Sequence, residues 1–301
     1  GAVRWSGCAR PPLMPLLPPE LLRKLSALTL RSRVRGEGVR GGERRSRRRG
    51  QSQEFADHRP YVPGDDLRFL DWHLYGRLDQ LWVKLFEEED DRVVLAALDT
   101  SASMQGDKLD YARQVAAALA WVALGHGDRV SIAAWSDELA SYAPPRRGRS
   151  SAHGIFRSLE SIHPGGSTDL ARALAATPRQ RGSAIVLLFT DMLYPEGPDQ
   201  ALRQLRARGY EVHAFHLLAP VDIRPDLQGD VVLVDQESGD ELPLSLDEHT
   251  LDVYEATVHA WAEDMQRTCA QLGVGYTRVV TSMPVEELVL GTLRRQGLLG
   301  R

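Results

Sequence analysis

The sequence predicts an α/β fold with a central, mostly parallel sheet and helices on both faces. Two observations carry this. The runs "RVVLAALD" (92–99) and "SAIVLLFTD" (183–191) are continuously apolar, as strands buried on both faces are. Such runs alternate with helical segments of 10–20 residues, which is the pattern of strand–helix–strand units.

The elements follow in order. "PPELLRKLSALTLRSR" (18–33) carries Leu21, Leu22, Leu25, Leu28 and Leu30 on a near-helical stripe, with proline at its start. Residues 34–53 are rich in Gly, Arg and Ser and read as a basic loop. Residues 54–91 form a dense, irregular segment. "DKLDYARQVAAALAWVALG" (107–125) is a long Ala- and Leu-rich helix. "DRVSIAAWS" (128–136) is a strand; 151–162 and 168–177 are helices; 198–209 is a helix ending on Gly, and 210–218 a strand. Two β-rich runs flank "ESGD" within 230–244, which predicts a hairpin insertion. A long helix (about 249–273), a strand (275–282) and a last helix (about 285–298) complete the chain. The expected division is 1–53, 54–91 and 92–301.

The charge is unevenly placed. Residues 1–50 hold 13 Lys+Arg and 3 Asp+Glu, a balance of +10. The remainder holds 24 and 38, a balance of −14. The arginines of "GGERRSRRRG" have no interleaved aromatic residue on which bases could stack, so nucleic acid is a disfavoured partner. Two cysteines, Cys8 and Cys269, make neither a disulfide framework nor a structural zinc site. No apolar run is long enough to span a bilayer. The expectation is a soluble, cytoplasmic protein.

Two strand runs end directly on a carboxylate, Asp99 and Asp191. In open α/β sheets functional groups gather at such ends. The chain lacks a phosphate loop, a dinucleotide fingerprint and a nucleophile elbow. "DTSAS" supplies Asp99, Ser101 and Ser103; "PGGSTDL" supplies Thr168, with Ser167 and Asp169 beside it; "FTD" supplies Asp191. Oxygen donors from three loops suit a hard cation such as Mg²⁺, with Mn²⁺ or Ca²⁺ as alternatives. Ser and Asp ahead of a helix are also ordinary capping residues. A metal-assisted hydrolase using the same carboxylates is the alternative function, with His163 as the nearest candidate base. No catalytic motif is present to support it.

This three-part pattern resembles the metal-ion-dependent adhesion site of the von Willebrand factor type A domain, a Rossmann-like fold. On that resemblance the metal residues are Asp99, Ser101, Ser103, Thr168 and Asp191, and an acidic side chain of a partner completes the shell. The segment "EFADHRPYVPGDDLRFLDWHLYGRLDQLWVKLFEEE", followed by "LDTSASM", is similar to the signature of bacterial proteins grouped as domain of unknown function 58. That resemblance implies a bacterial adaptor or partner of a MoxR-type AAA+ ATPase, acting in assembly or maturation of other proteins. Within the segment Arg59, Asp65, Asp66, Arg68, Asp71 and Arg77 alternate in sign around aromatic residues. They form either an ion-pair web holding the segment to the α/β domain or a docking surface for the ATPase.

Overall fold

The computed structural model describes residues 16–31, 54–87, 92–167, 169–180, 182–194, 197–234 and 240–300. The chain divides into two compact units, 1–35 with 92–301, and 36–91.

The first unit begins with helix α1 (Pro19–Leu25), opened by a proline that needs no amide partner at that position. The leucine stripe predicted a helix over 18–33, but α1 stops at Leu25. The Ser26 hydroxyl donates back to the Leu22 carbonyl at 2.8 Å. Thr29 and Leu30 then find a partner strand and become β1 (Thr29–Leu30).

The second unit is a hairpin of β2 (Glu54–Pro60) and β3 (Trp82–Glu87), with α2 (Trp72–Leu78) between them. The sequence pattern missed these strands because their connection is long and itself structured. Several of its ion pairs are local. Arg59 grips Asp65 with two nitrogens, at 2.8 and 2.5 Å. Asp66 caps the 3-10 turn Leu67–Phe69 and pairs with Arg68. Asp71 caps α2 through the His73 and Leu74 amides and holds His58 at 2.9 Å. Arg77 is exposed in the last turn of α2.

The first unit resumes with β4 (Val93–Asp99), α3 (Asp107–Gly125), β5 (Arg129–Trp135) and β6 (Leu139–Arg147). Then come α4 (Ala152–Glu160), α5 (Leu170–Ala176), β7 (Ala184–Thr190), α6 (Asp199–Ala207) and β8 (Glu211–Leu218). A short α7 (Pro220–Ile223) leads to a hairpin, β9 (Gly229–Val234) with β10 (Glu241–Leu246). Helix α8 (Glu248–Gln271) and strand β11 (Gly275–Val280) follow. The last helical segment comprises α9 (Val285–Glu287), a π turn (Leu288–Thr292) and α10 (Leu293–Arg295), before β12 (Leu299–Gly300).

The sheet order is β11-β8-β7-β4-β5-β6. Every pairing is parallel except β5 with β6. β6 was not expected from the pattern. It contains Pro144 and Pro145, which are tolerated because it lies on the sheet edge and is bulged against β5.

Two apolar layers cover the sheet. One contains residues of α1, α3, α4, the π turn and α10. The other contains residues of α5, α6 and α8. Helix α3 is buried nearly all round, and its run of alanines lets backbones approach closely. Phe189 of β7 stacks on Phe215 of β8, ring centroids 4.6 Å apart. No helix among the described residues is long and apolar enough to cross a membrane.

Candidate metal centre

The apolar strands β4 and β7 are neighbours in the parallel sheet, so their carboxyl ends emerge side by side. Asp99 is the last residue of β4, and Asp191 follows the last residue of β7. Both carboxylates are buried.

Backbone hydrogen bonds join the first two loops. Gly165 donates to the Thr100 carbonyl at 2.7 Å, and Ala102 donates to the Gly166 carbonyl at 3.0 Å. Gly166 takes φ +83°, and a Cβ there would lie 3.4 Å from Asp137 Oδ1, so glycine suits both the turn and the space. The third loop is tied in by side chains: the Thr190 hydroxyl donates to Asp99 Oδ2 at 2.8 Å. Met192 is left-handed at φ 61°, an uncommon state for a residue other than glycine. It is held there by its amide on Thr190 Oγ1 at 3.0 Å and by Leu193 N–H on Asp191 Oδ1 at 3.2 Å.

Asp99 Oδ1 accepts from the Ser101 amide at 2.9 Å. The Ser101 and Ser103 hydroxyl oxygens lie 2.9 Å apart. Asp169 caps α5 through the Arg172 amide at 2.9 Å, which gives this residue the capping role. Ser167 and His163 are exposed. Thr168 and the 40–49 arginines lie outside the described residues.

The motif reading missed Lys108. Its ammonium donates to Asp191 Oδ2 at 2.9 Å and lies 3.2 Å from Asp222 Oδ2 of α7. Burial works against its charge, but Asp191 and then Asp222 outweigh burial and hold the ammonium above its ordinary range. A signal was present in the sequence. Lys108 is a cation in the first turn of a long helix, where the macrodipole favours anions such as Asp107 and Asp110. Thr190 and Tyr194, both bonded to Asp99, were also missed as parts of the site.

Electrostatics at the sheet edge are unbalanced. Burial, and then the charge of Asp191, push the Asp99 carboxyl up to about 6, against the hydrogen bonds from Ser101 and Thr190. Burial, and then Asp99, also raise the Tyr194 hydroxyl well above its ordinary value. The Lys108 ammonium pairs with Asp191 and Asp222, and no ion pair to Asp99 occurs among the described residues. No group of three His, Cys, Asp or Glu side chains among the described residues is arranged to hold a metal. Any cation held here depends on hydroxyl donors as well as the two buried carboxylates.

The fold and this cluster define a mixed α/β protein whose polar chemistry sits at the carboxyl edge of a mostly parallel sheet. The family model described as "Protein of unknown function DUF58" matches residues 57–263, and the chain belongs to that family. It is 31% identical over 267 residues to uncharacterized protein Rv1480 of Mycobacterium tuberculosis, covering 85% of this chain and 83% of that one. Uncharacterized protein MAV169 of Mycobacterium avium is 30% identical over 168 residues, 52% of this chain and 97% of that one. Among solved structures, conserved hypothetical protein BatB from Bacteroides thetaiotaomicron is similar with TM-score 0.41 and 18% identity, over 68% of this chain and 98% of that one. An aerotolerance-related membrane protein from Bacteroides fragilis gives TM-score 0.41 and 18% identity, over 67% and 98%.

Proposed function

We propose that this chain is a metal-dependent protein-interaction module of the von Willebrand factor type A kind. In this reading it serves as adaptor or partner of a MoxR-type AAA+ ATPase in the assembly or maturation of other proteins. The observation that supports it is the pair of buried carboxylates, Asp99 and Asp191, close enough to repel, beside the Ser101–Ser103 hydroxyl pair. Lys108 pairs with Asp191 and Asp222 and leaves Asp99 without a cation among the described residues, so a divalent cation would offset the remaining negative charge.

The residues fit such an ion. Asp99, Ser101, Ser103 and Asp191 would hold it, and few carboxylates with several hydroxyls favour Mg²⁺ over Ca²⁺. A bound cation would present a Lewis-acid position to an acidic side chain of the partner. Both oxygens of Asp191 are already engaged, by Lys108 and by the Leu193 amide, so its part is mainly charge. Ser101 and Ser103 are neutral donors and would leave a bound cation electrophilic.

Calorimetric titration with Mg²⁺, followed by capture of a purified MoxR-type AAA+ ATPase, tests the reading. Wild-type protein should bind both, and Asp99→Ala neither, while its circular dichroism stays native. Equal capture by Asp99→Ala, or by wild type in chelator, removes the proposal.

A further inference from the structure

A second charged site lies away from this cluster, where β1, the π turn and β12 meet. An open surface pocket of about 520 Å³ there is lined by the exposed residues Arg31, Arg294 and Arg295. We infer that this pocket binds a phosphate group through those three guanidiniums.

The charge argument comes first. Residues 51–301 carry a balance of −14, yet 288–300 contain two arginines and no acidic residue. Among the described residues, none of the three arginines forms an ion pair. Arg295 donates only to the neutral Thr292 hydroxyl, at 3.1 Å. Three like charges lining one pocket repel, and that repulsion is relieved by an anion. A guanidinium is a planar fork suited to phosphate oxygens, and three forks suit an acceptor with several oxygens.

The backbone is shaped for these side chains. A Cβ on Gly300 would lie 1.9 Å from Arg31 Nε, so a side chain there would push the guanidinium off strand β12. A Cβ on Gly291 would lie 3.4 Å from Arg295 Nη1. The π turn Leu288–Thr292 ends one residue short of the two adjacent arginines, and such turns recur at functional sites. Leu290 and Leu299 add an apolar wall. The pocket has no aromatic lining, so it offers no stacking platform for a base.

The phosphate has two sources, a free anion or a phosphoryl group on a peptide. Calorimetry on the full chain with inorganic phosphate, with a phosphoserine peptide and with the same peptide unphosphorylated separates them. Citrate serves as a competing polycarboxylate. Saturable phosphate binding is expected, weakened at least tenfold in Arg294→Gln/Arg295→Gln and unchanged in Asp99→Asn. Tighter binding of the phosphopeptide than of free phosphate assigns the peptide source; the reverse assigns the free anion. Arg31→Gln is a second variant that keeps the fold, because Arg31 holds β12 through its backbone amide on the Leu298 carbonyl. Wild type without saturable phosphate binding overturns the inference. So does citrate binding as tightly as phosphate, or undiminished binding in both arginine variants.

Discussion

The Lys108 ammonium lies 2.9 Å from Asp191 Oδ2, and both side chains are shielded from water. A buried pair of this kind adds little net stability over an apolar pair, but breaking it strands one charge. Lys108→Met is therefore expected to lose about 3–5 kcal/mol in urea unfolding. Adding Asp191→Asn to Lys108→Met should recover a large part of that loss. If the double variant is as unstable as the single one, the ion pair is not the cause.

Asp99 reverses the usual carboxylate behaviour. Its folded value, about 6, lies above the ordinary 3.8, so the native state binds the proton more tightly than the unfolded chain. Stability then falls as pH rises from about 4 through 6. In chelator at pH 7, Asp99→Asn should be more stable than wild type by about 1–3 kcal/mol, the order set by a shift of this size. The difference should narrow as pH falls and close only below about 4. Thermal melts of both proteins across that range check the sign.

His216 works in the opposite sense. Burial, then Arg278 and Lys108, bring its imidazole down to about 4 from 6.5. The unfolded chain therefore binds the proton first, and stability is lost as pH falls from 6.5 towards 4. His216→Phe, which keeps an aromatic ring against Trp261, should flatten the fall of melting temperature in that window. A variant curve parallel to wild type would assign the pH dependence to other groups.

Gly166→Ala places a Cβ on a left-handed residue that holds two of the site loops together. About 1–2 kcal/mol of destabilisation is expected from the backbone alone. Under the proposed function, Mg²⁺ affinity should fall with it. Chemical denaturation and calorimetry read the two effects separately.

Phe189→Ala removes a fully buried ring stacked on Phe215. A loss of about 3–5 kcal/mol is expected in urea unfolding, with the largest effect if the space stays open.

The main body was legible because β4 and β7 are buried on both faces and α3 is a long Ala-rich run. Those features are written in composition alone. β6 was hidden by Pro144 and Pro145, since an edge strand loses no ladder bond that a central strand would need. α1 was overextended because Leu28 and Leu30 continue a helical spacing, while Thr29 and Leu30 pair with Gly300 and Leu299. At the sheet edge, the carboxylates and hydroxyls were readable as motifs. Lys108 and Asp222 were not, because their meeting depends on α3 and α7 converging across 114 positions of sequence, from 108 to 222.

The pairing of Thr29 with Gly300 and of Leu30 with Leu299 has a consequence for biosynthesis. β1 waits for residues made some 270 positions later, roughly a quarter to a full minute at ribosomal speeds of about 5–20 residues per second. Throughout that interval the nascent chain displays a leucine-rich α1 whose neighbouring strand has no mate. Completion of this pairing is thus tied to synthesis of residues 299–300, and chaperone contact with the emerging chain should concentrate on residues 16–31 until then.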